Sequence, residues 1–79
     1  MERLNLRQLE IFSAVVDAGS FTAAAEKLYL AQSTVSDNVR ALEELLHLKL
    51  FHRESKRRLT LTLEGKRVYR CAQDILGRC

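Results

Sequence analysis

Apolar residues recur at helical spacing in four stretches of the chain, and between the third and fourth they alternate with polar ones. Leu6, Leu9, Phe12, Val15 and Val16 make one stripe of a first helix. Asn5 is placed to cap it, with Gln8 three residues on, as a capping box requires. Gly19 stops it where the chain needs a left-handed residue. Ser20 caps a second helix whose inner face is Phe21, Ala24, Ala25 and Leu28. The alanine run from Ala23 to Ala25 favours helix and lets a crossing helix approach closely. Tyr29, Leu30 and Ala31 form a short turn, and a third helix runs from about Gln32 to Leu46. At about 100° per residue, its Val35, Val39, Leu42 and Leu46 fall within a stripe roughly 60° wide. Ser33, Ser36, Asp37, Arg40 and Glu44 lie on the opposite face.

After His47, a residue suited to end the helix, the period changes. Leu48, Leu50 and Phe51 alternate with Lys49 and His52, and Leu59 to Thr62 alternate again. Two short strands around a charged loop, Arg53 to Arg58, read as a β-hairpin. The loop has no Asn-Gly or Asp-Gly pair, which leaves its turn type open. A fourth helix begins with Thr62 as cap and Glu64 in its first turn, favourable to the dipole. Its Val68, Cys71, Ala72, Ile75 and Cys79 form a narrow seam like that of a packed helix pair. The fold expected is mainly α: a three-helix core, a short hairpin and a C-terminal helix. Residues 1–61 form the main unit, and residues 62–79 start the C-terminal helix.

Seventy-nine residues make one domain with a small core, a size that suits a binding module better than an enzyme. The hydrophobic fraction of 47% is that of a globular chain. No apolar stretch approaches the roughly 18 residues of a membrane span. Glu2 and Arg3 lead into an amphipathic pattern without the apolar core of a secretion signal, so the cytoplasm is the expected compartment. Cys71 and Cys79 are too few and too close to frame a disulfide fold and read as reduced thiols on one helix. His47 and His52 are too isolated to be metal ligands, and neither has an obvious nucleophile partner. No catalytic arrangement, cofactor or metal is expected.

Charge is unevenly spread. Residues 1–48 carry four basic and seven acidic groups, whereas residues 49–70 carry eight basic and two acidic ones. A basic block on an otherwise acidic small domain is the footprint of a phosphate-binding face, although composition alone fits a solvated surface equally well. The order of elements adds what composition lacks. Two helices separated by about three residues form a helix-turn-helix unit, whose later helix enters the major groove of a duplex. A basic hairpin directly after it is a wing that tracks phosphates. The fold class is therefore a winged helix-turn-helix.

Five segments in order resemble the N-terminal domain of LysR-type transcriptional regulators. They are Gly19-Ser20-Phe21-Thr22 with Ala24-Ala25, Ala31 to Ser36, Arg40 to Glu43, Leu50 to Arg53 at the start of the wing, and Leu61 to Gly65 at the start of the last helix. The resemblance covers about residues 4–77. It implies sequence-specific binding of double-stranded DNA at an interrupted inverted repeat. It also implies a homodimer joined through the linker helix, with Val68, Ala72, Ile75 and Cys79 in the seam. A ligand-sensing domain for a small-molecule effector normally follows, and the chain is expected to be a DNA-binding domain separated from it. Three residues depart from the pattern. Asp37 stands where a basic or amide residue is common, and His47 where glycine is common. Ala31 replaces a Ser or Thr cap, at a cost of about 1 kcal/mol. Other winged-helix regulators, such as the molybdate-responsive type, and a winged helix used only for protein docking are the alternatives.

The residues expected to touch DNA follow from this layout. Gln32, Ser33 and Thr34 sit at the N-terminal end of the third helix, where side chains and free N–H groups face bases and phosphates together. A glutamine there can bond an adenine edge with both donor and acceptor. Ser36 follows one turn on. Asp37 is either a reader of a cytosine amino group or a plain solvated acid. Arg40 reaches a phosphate or pairs with Glu43 or Glu44. Thr22 touches a phosphate or supports the local cap. Arg53, Lys56, Arg57 and Arg58 are the wing contacts. Phe12, Phe21, Phe51 and the two tyrosines are expected in core or edge packing.

Overall fold

The computed structural model describes residues 5–52 and 59–77. Helices α1 (Leu6–Ala18), α2 (Phe21–Leu28) and α3 (Gln32–Leu46) are followed by strands β1 (Phe51–His52) and β2 (Thr60–Leu61) and by α4 (Leu63–Ile75). The strands pair antiparallel, with Phe51 opposite Leu61 and His52 opposite Thr60. Each strand has only two residues. Leu48, Lys49 and Leu50 therefore lie outside the ladder that their alternation suggests.

Helix α1 is central and packs against α2, α3 and α4. That is why residues off its expected stripe are buried too: Ile11 and Ser13 join Leu9, Phe12 and Val15 in the interior. Leu6, at the end of the stripe, is instead 58% exposed. Asn5 caps α1 by accepting from the N–H of Arg7. The reciprocal arm of a capping box is not made, since the buried Oε1 of Gln8 has no hydrogen-bond partner among the described residues. Gly19 closes α1 at φ +86°, and its N–H bonds Val15 O. Ser20 then starts α2, its hydroxyl accepting from the N–H of Ala23.

The core unites Ala24 and Ala25 of α2, Val35, Val39 and Leu42 of α3, and Leu50, Phe51 and Ala72. Both alanines are buried in α2, which packs against α1 and α3. Phe51 lies 5.5 Å from Phe12 and 5.7 Å from Phe21 between ring centroids, so the first strand is pinned to two helices at once. Tyr69 meets Phe12 edge-on from α4. Tyr29 does not join this packing. It is 95% exposed and ends α2 at φ +58°. Ala72 is fully buried within its own chain, so it belongs to intrachain packing and not to an open seam.

Thr62 ties the hairpin to α4. Its hydroxyl donates to Lys49 O and accepts from the N–H of Gly65, while its own N–H donates to Leu50 O. Gly65 packs against the chain entering β1 so tightly that a Cβ there would run into the Leu50 carbonyl and the Leu61 side chain.

Candidate nucleic-acid interface

Helices α2 and α3 pack against each other and are joined by the three-residue turn Tyr29-Leu30-Ala31. Val35, Val39 and Leu42 hold one side of α3 in the core. Their burial turns Gln32, Ser33, Thr34, Asp37 and Arg40 outward, all exposed, with Ser36 half-buried beside them. Ala31 provides no side-chain cap. The first N–H groups of a helix have no carbonyl inside it to bond. The Thr34 N–H bonds Ala31 O at 3.0 Å, whereas with no capping side chain the N–H groups of Gln32 and Ser33 stay open toward an incoming anion, and the helix dipole adds positive potential there.

Polar side chains around this end are organised. The hydroxyl of Thr22, in the first turn of α2, donates to Oε1 of Gln32 at 3.2 Å. Asn38, which the sequence did not single out, donates from Nδ2 to Thr34 O at 2.8 Å. Arg40 pairs with Asp37 at 3.8 Å, not with Glu43 or Glu44, the partners expected from the sequence. The side chains of Arg40 and Asp37 are 59% and 74% exposed. An ion pair that wet is worth little and yields readily to a stronger partner.

Glu43, a surface acid by its place in the sequence pattern, is buried, and its Oε2 accepts from the N–H of Leu50 at 2.8 Å. It sits at the edge of the apolar stripe, roughly 80° around the helix from Val35. That offset was the available sign that its carboxylate could turn inward. The bond fixes the C-terminal half of α3 to the chain entering the hairpin. His47 makes the intervening turn at φ +57°, in the left-handed conformation for which glycine is the usual choice.

At the hairpin, His52 and Thr60 are exposed. Arg53, Lys56, Arg57 and Arg58 lie outside the described residues, as does Cys79. Lys49, Lys66, Arg67 and Arg70 are exposed on the segments flanking the hairpin. On α4, Val68 is half-buried, whereas Cys71 is exposed and Ile75 is 55% exposed. With Leu9, Leu46 and Arg67 they line an open groove of about 210 Å³. Among the described residues no group of His, Cys, Asp and Glu is arranged to hold a metal. No described helix is long and apolar enough to cross a membrane.

Comparison with known proteins places this chain in a family. The chain is 46% identical over 74 residues to the HTH-type transcriptional regulator CrgA of Neisseria meningitidis, a match covering 94% of this chain and 24% of that protein. It is 45% identical over 69 residues to the transcriptional activator protein LysR of Escherichia coli, covering 87% of this chain and 22% of that one. The chain thus spans about a quarter of the length of these relatives. Among solved structures, the BenM DNA-binding domain in complex with catB site 1 DNA superposes with a TM-score of 0.88 at 40% identity, over 94% of this chain and 78% of that one. CbnR, a LysR family transcriptional regulator, gives 0.87 at 36% identity, over 94% of this chain and 25% of that one. Residues 6–66 match the family described as bacterial regulatory helix-turn-helix protein, lysR family. With its four helices and two-stranded hairpin in that order, the chain is a winged helix-turn-helix and belongs to the LysR family of bacterial regulatory proteins.

Proposed function

We propose that this chain binds double-stranded DNA with base specificity, as the DNA-binding part of a transcription regulator. The observation that carries the reading is the division of α3. One face is committed to the core by Val35, Val39 and Leu42, and the other presents Gln32, Ser33, Thr34 and Asp37 from an uncapped helix start. A helix of that kind enters the major groove with its N-terminal side chains toward base edges. The likeness to a BenM domain solved on DNA supports the same docking. Gln32, Ser33, Thr34 and Ser36 then meet bases and nearby phosphates, with Asp37 and Arg40 one turn on. Thr22 lies beside Gln32. Arg53, Lys56, Arg57 and Arg58 follow the backbone from the wing.

The regulator works as a homodimer. In this reading residues 62–79, which include α4, begin a linker helix, and the apolar groove around Val68 and Ile75 receives the same helix of a second copy. Two-fold symmetry then matches the two half-sites of an interrupted inverted repeat. The site of action is the bacterial nucleoid, in the cytoplasm. A small-molecule effector acts through a region beyond these residues, and DNA binding itself uses no catalysis, cofactor or metal. Duplex binding measured over a salt series tests the reading. Affinity falling steeply and linearly on a log–log scale, with enrichment of one sequence from a random pool, is the expected result. Salt-independent or undetectable binding would instead favour a winged helix that docks only to proteins.

A further inference from the structure

We propose that Thr22 is a specificity-determining residue that acts through Gln32, by holding its amide so that the NH2 group leads into the groove. This rests on the DNA-binding reading above. The two residues are ten apart in sequence and on different helices, yet the Thr22 hydroxyl donates to Oε1 of Gln32 at 3.2 Å. A threonine hydroxyl has one proton to give. Within a helix it usually goes to the carbonyl four residues back. Thr22 stands in the first turn of α2, so that carbonyl belongs to Ala18 at the end of α1, and the proton crosses the turn to Gln32 instead.

The consequence lies in what the amide still offers. Gln32 is exposed at the first position of α3 and carries three rotatable bonds, so unaided it would sample many poses. With its carbonyl engaged by Thr22, its two N–H donors are the part of the amide left for a partner outside the chain. The bidentate adenine contact requires donor and acceptor to face the base together. An amide held by Thr22 favours an acceptor instead: N7 or O6 of guanine, or O4 of thymine. The bond is exposed, so its loss leaves the folded state almost unchanged, and its effect is on selectivity.

The test uses the 79-residue chain with Thr22→Val, Thr22→Ser, Gln32→Ala and the Thr22→Val/Gln32→Ala double variant. Each is assayed against the selected duplex and its single-base-pair variants. Thr22→Val keeps the shape and removes the hydroxyl. It should cut discrimination at one base pair by about tenfold, the size of a good base contact. That pair should be the one at which Gln32→Ala loses preference, and the double variant should lose no more than Gln32→Ala alone. Thr22→Ser should restore the preference. At the same pair, analogues that remove a groove acceptor (a 7-deazapurine, 4-thiothymine) should weaken the wild type. Analogues that block an exocyclic amine (N4-methylcytosine, N6-methyladenine) should not.

A uniform loss of affinity on all duplexes for Thr22→Val, with base preference and salt slope unchanged, would overturn the proposal and make Thr22 a neutral phosphate contact. Effects additive with Gln32→Ala would overturn it too. Sensitivity to the blocked amine alone would mean that the amide faces the other way. If the wild type selects no duplex at all, the DNA-binding reading fails and the proposal with it. If the wild type selects one and Thr22→Val leaves its preference intact, only the proposal fails.

Discussion

The carboxylate of Glu43 accepts a hydrogen bond from the backbone N–H of Leu50, 2.8 Å away, and so joins the end of α3 to the chain that enters the wing. Both residues are buried. Removing the acceptor leaves an N–H with no water to replace it, at a cost of about 1–3 kcal/mol. Glu43→Ala should lower the urea midpoint accordingly. Glu43→Gln retains an acceptor and should cost less. Equal losses in the two variants would show that the charge matters and not the bond.

Gly65→Ala places a methyl group against the Leu50 carbonyl, at the point where α4 meets the hairpin. Backbone cannot give way as a flexible side chain can. The expected loss is about 1–3 kcal/mol, typical of overpacking, despite alanine's better helix propensity. A thermal melt decides it: an unchanged or raised Tm would mean that α4 can slide away from β1 at little cost.

The division of α3 predicts opposite outcomes for two substitutions on one helix. Val39 is fully buried, so Val39→Asp forces an unpaired charge into the core and should unfold the domain. Gln32 is exposed, and Gln32→Ala should leave the circular dichroism spectrum and Tm unchanged while relaxing base preference at one position in each half-site. Comparable destabilisation by both would mean that the faces are assigned the wrong way round.

That assignment was legible in the sequence because Val35, Val39 and Leu42 repeat over three turns with no competing apolar face. Gly19 and Ser20 were legible for a different reason: a left-handed stop and a hydroxyl cap are local requirements, met by the residue itself. Periodicity says which side of a helix is apolar, but not whether another element covers it. Leu6 and Ile11 therefore depart from it, the first uncovered and the second enclosed by the central position of α1. Tyr29 carried an aromatic signal for burial, but it stands in the turn, where the chain leaves the core. The bonds of Glu43 to Leu50 and of Thr22 to Gln32 join residues seven and ten apart across turns. Their geometry exists only once the helices have packed. The likeness of the outer surface to a DNA-reading one was visible in five short segments, whereas the bases it reads are not encoded in any residue taken singly.

On the wing, Arg57→Ala and Arg58→Ala together should weaken binding to all duplexes alike. For every phosphate that goes unneutralised, the slope of log affinity against log salt should shrink by about 0.9. Interactions with the DNA backbone carry affinity without sequence information. A shift in the selected sequence, with the slope unchanged, would show that these arginines read bases.

Self-association should depend on the outer face of α4. Ile75→Asp puts a charge at the rim of the apolar groove, where the monomer already exposes the side chain, so the fold should tolerate it. Sedimentation in the presence of reductant, which excludes crosslinks through Cys71, should show the wild type shifting toward dimer with concentration and the variant remaining monomeric. A wild type that stays monomeric at high concentration, with and without DNA, counts against the linker-helix pairing.

The position of Phe51 between Phe12 and Phe21 has a mechanical consequence. Phe21 opens the helix-turn-helix, Phe51 opens the wing, and their rings share one packed cluster. Helix α2 packs against α3, and Glu43 of α3 bonds the Leu50 N–H, so the distance from α3 to the root of the hairpin is set in the monomer before any duplex arrives. On the DNA-binding reading proposed above, a domain built this way would act as a fixed caliper laid across groove and backbone. A duplex whose groove width does not fit must deform, and the energy of that deformation depends on base steps the protein never touches. Operators would then be sorted by stiffness and shape as well as by the edges that α3 meets.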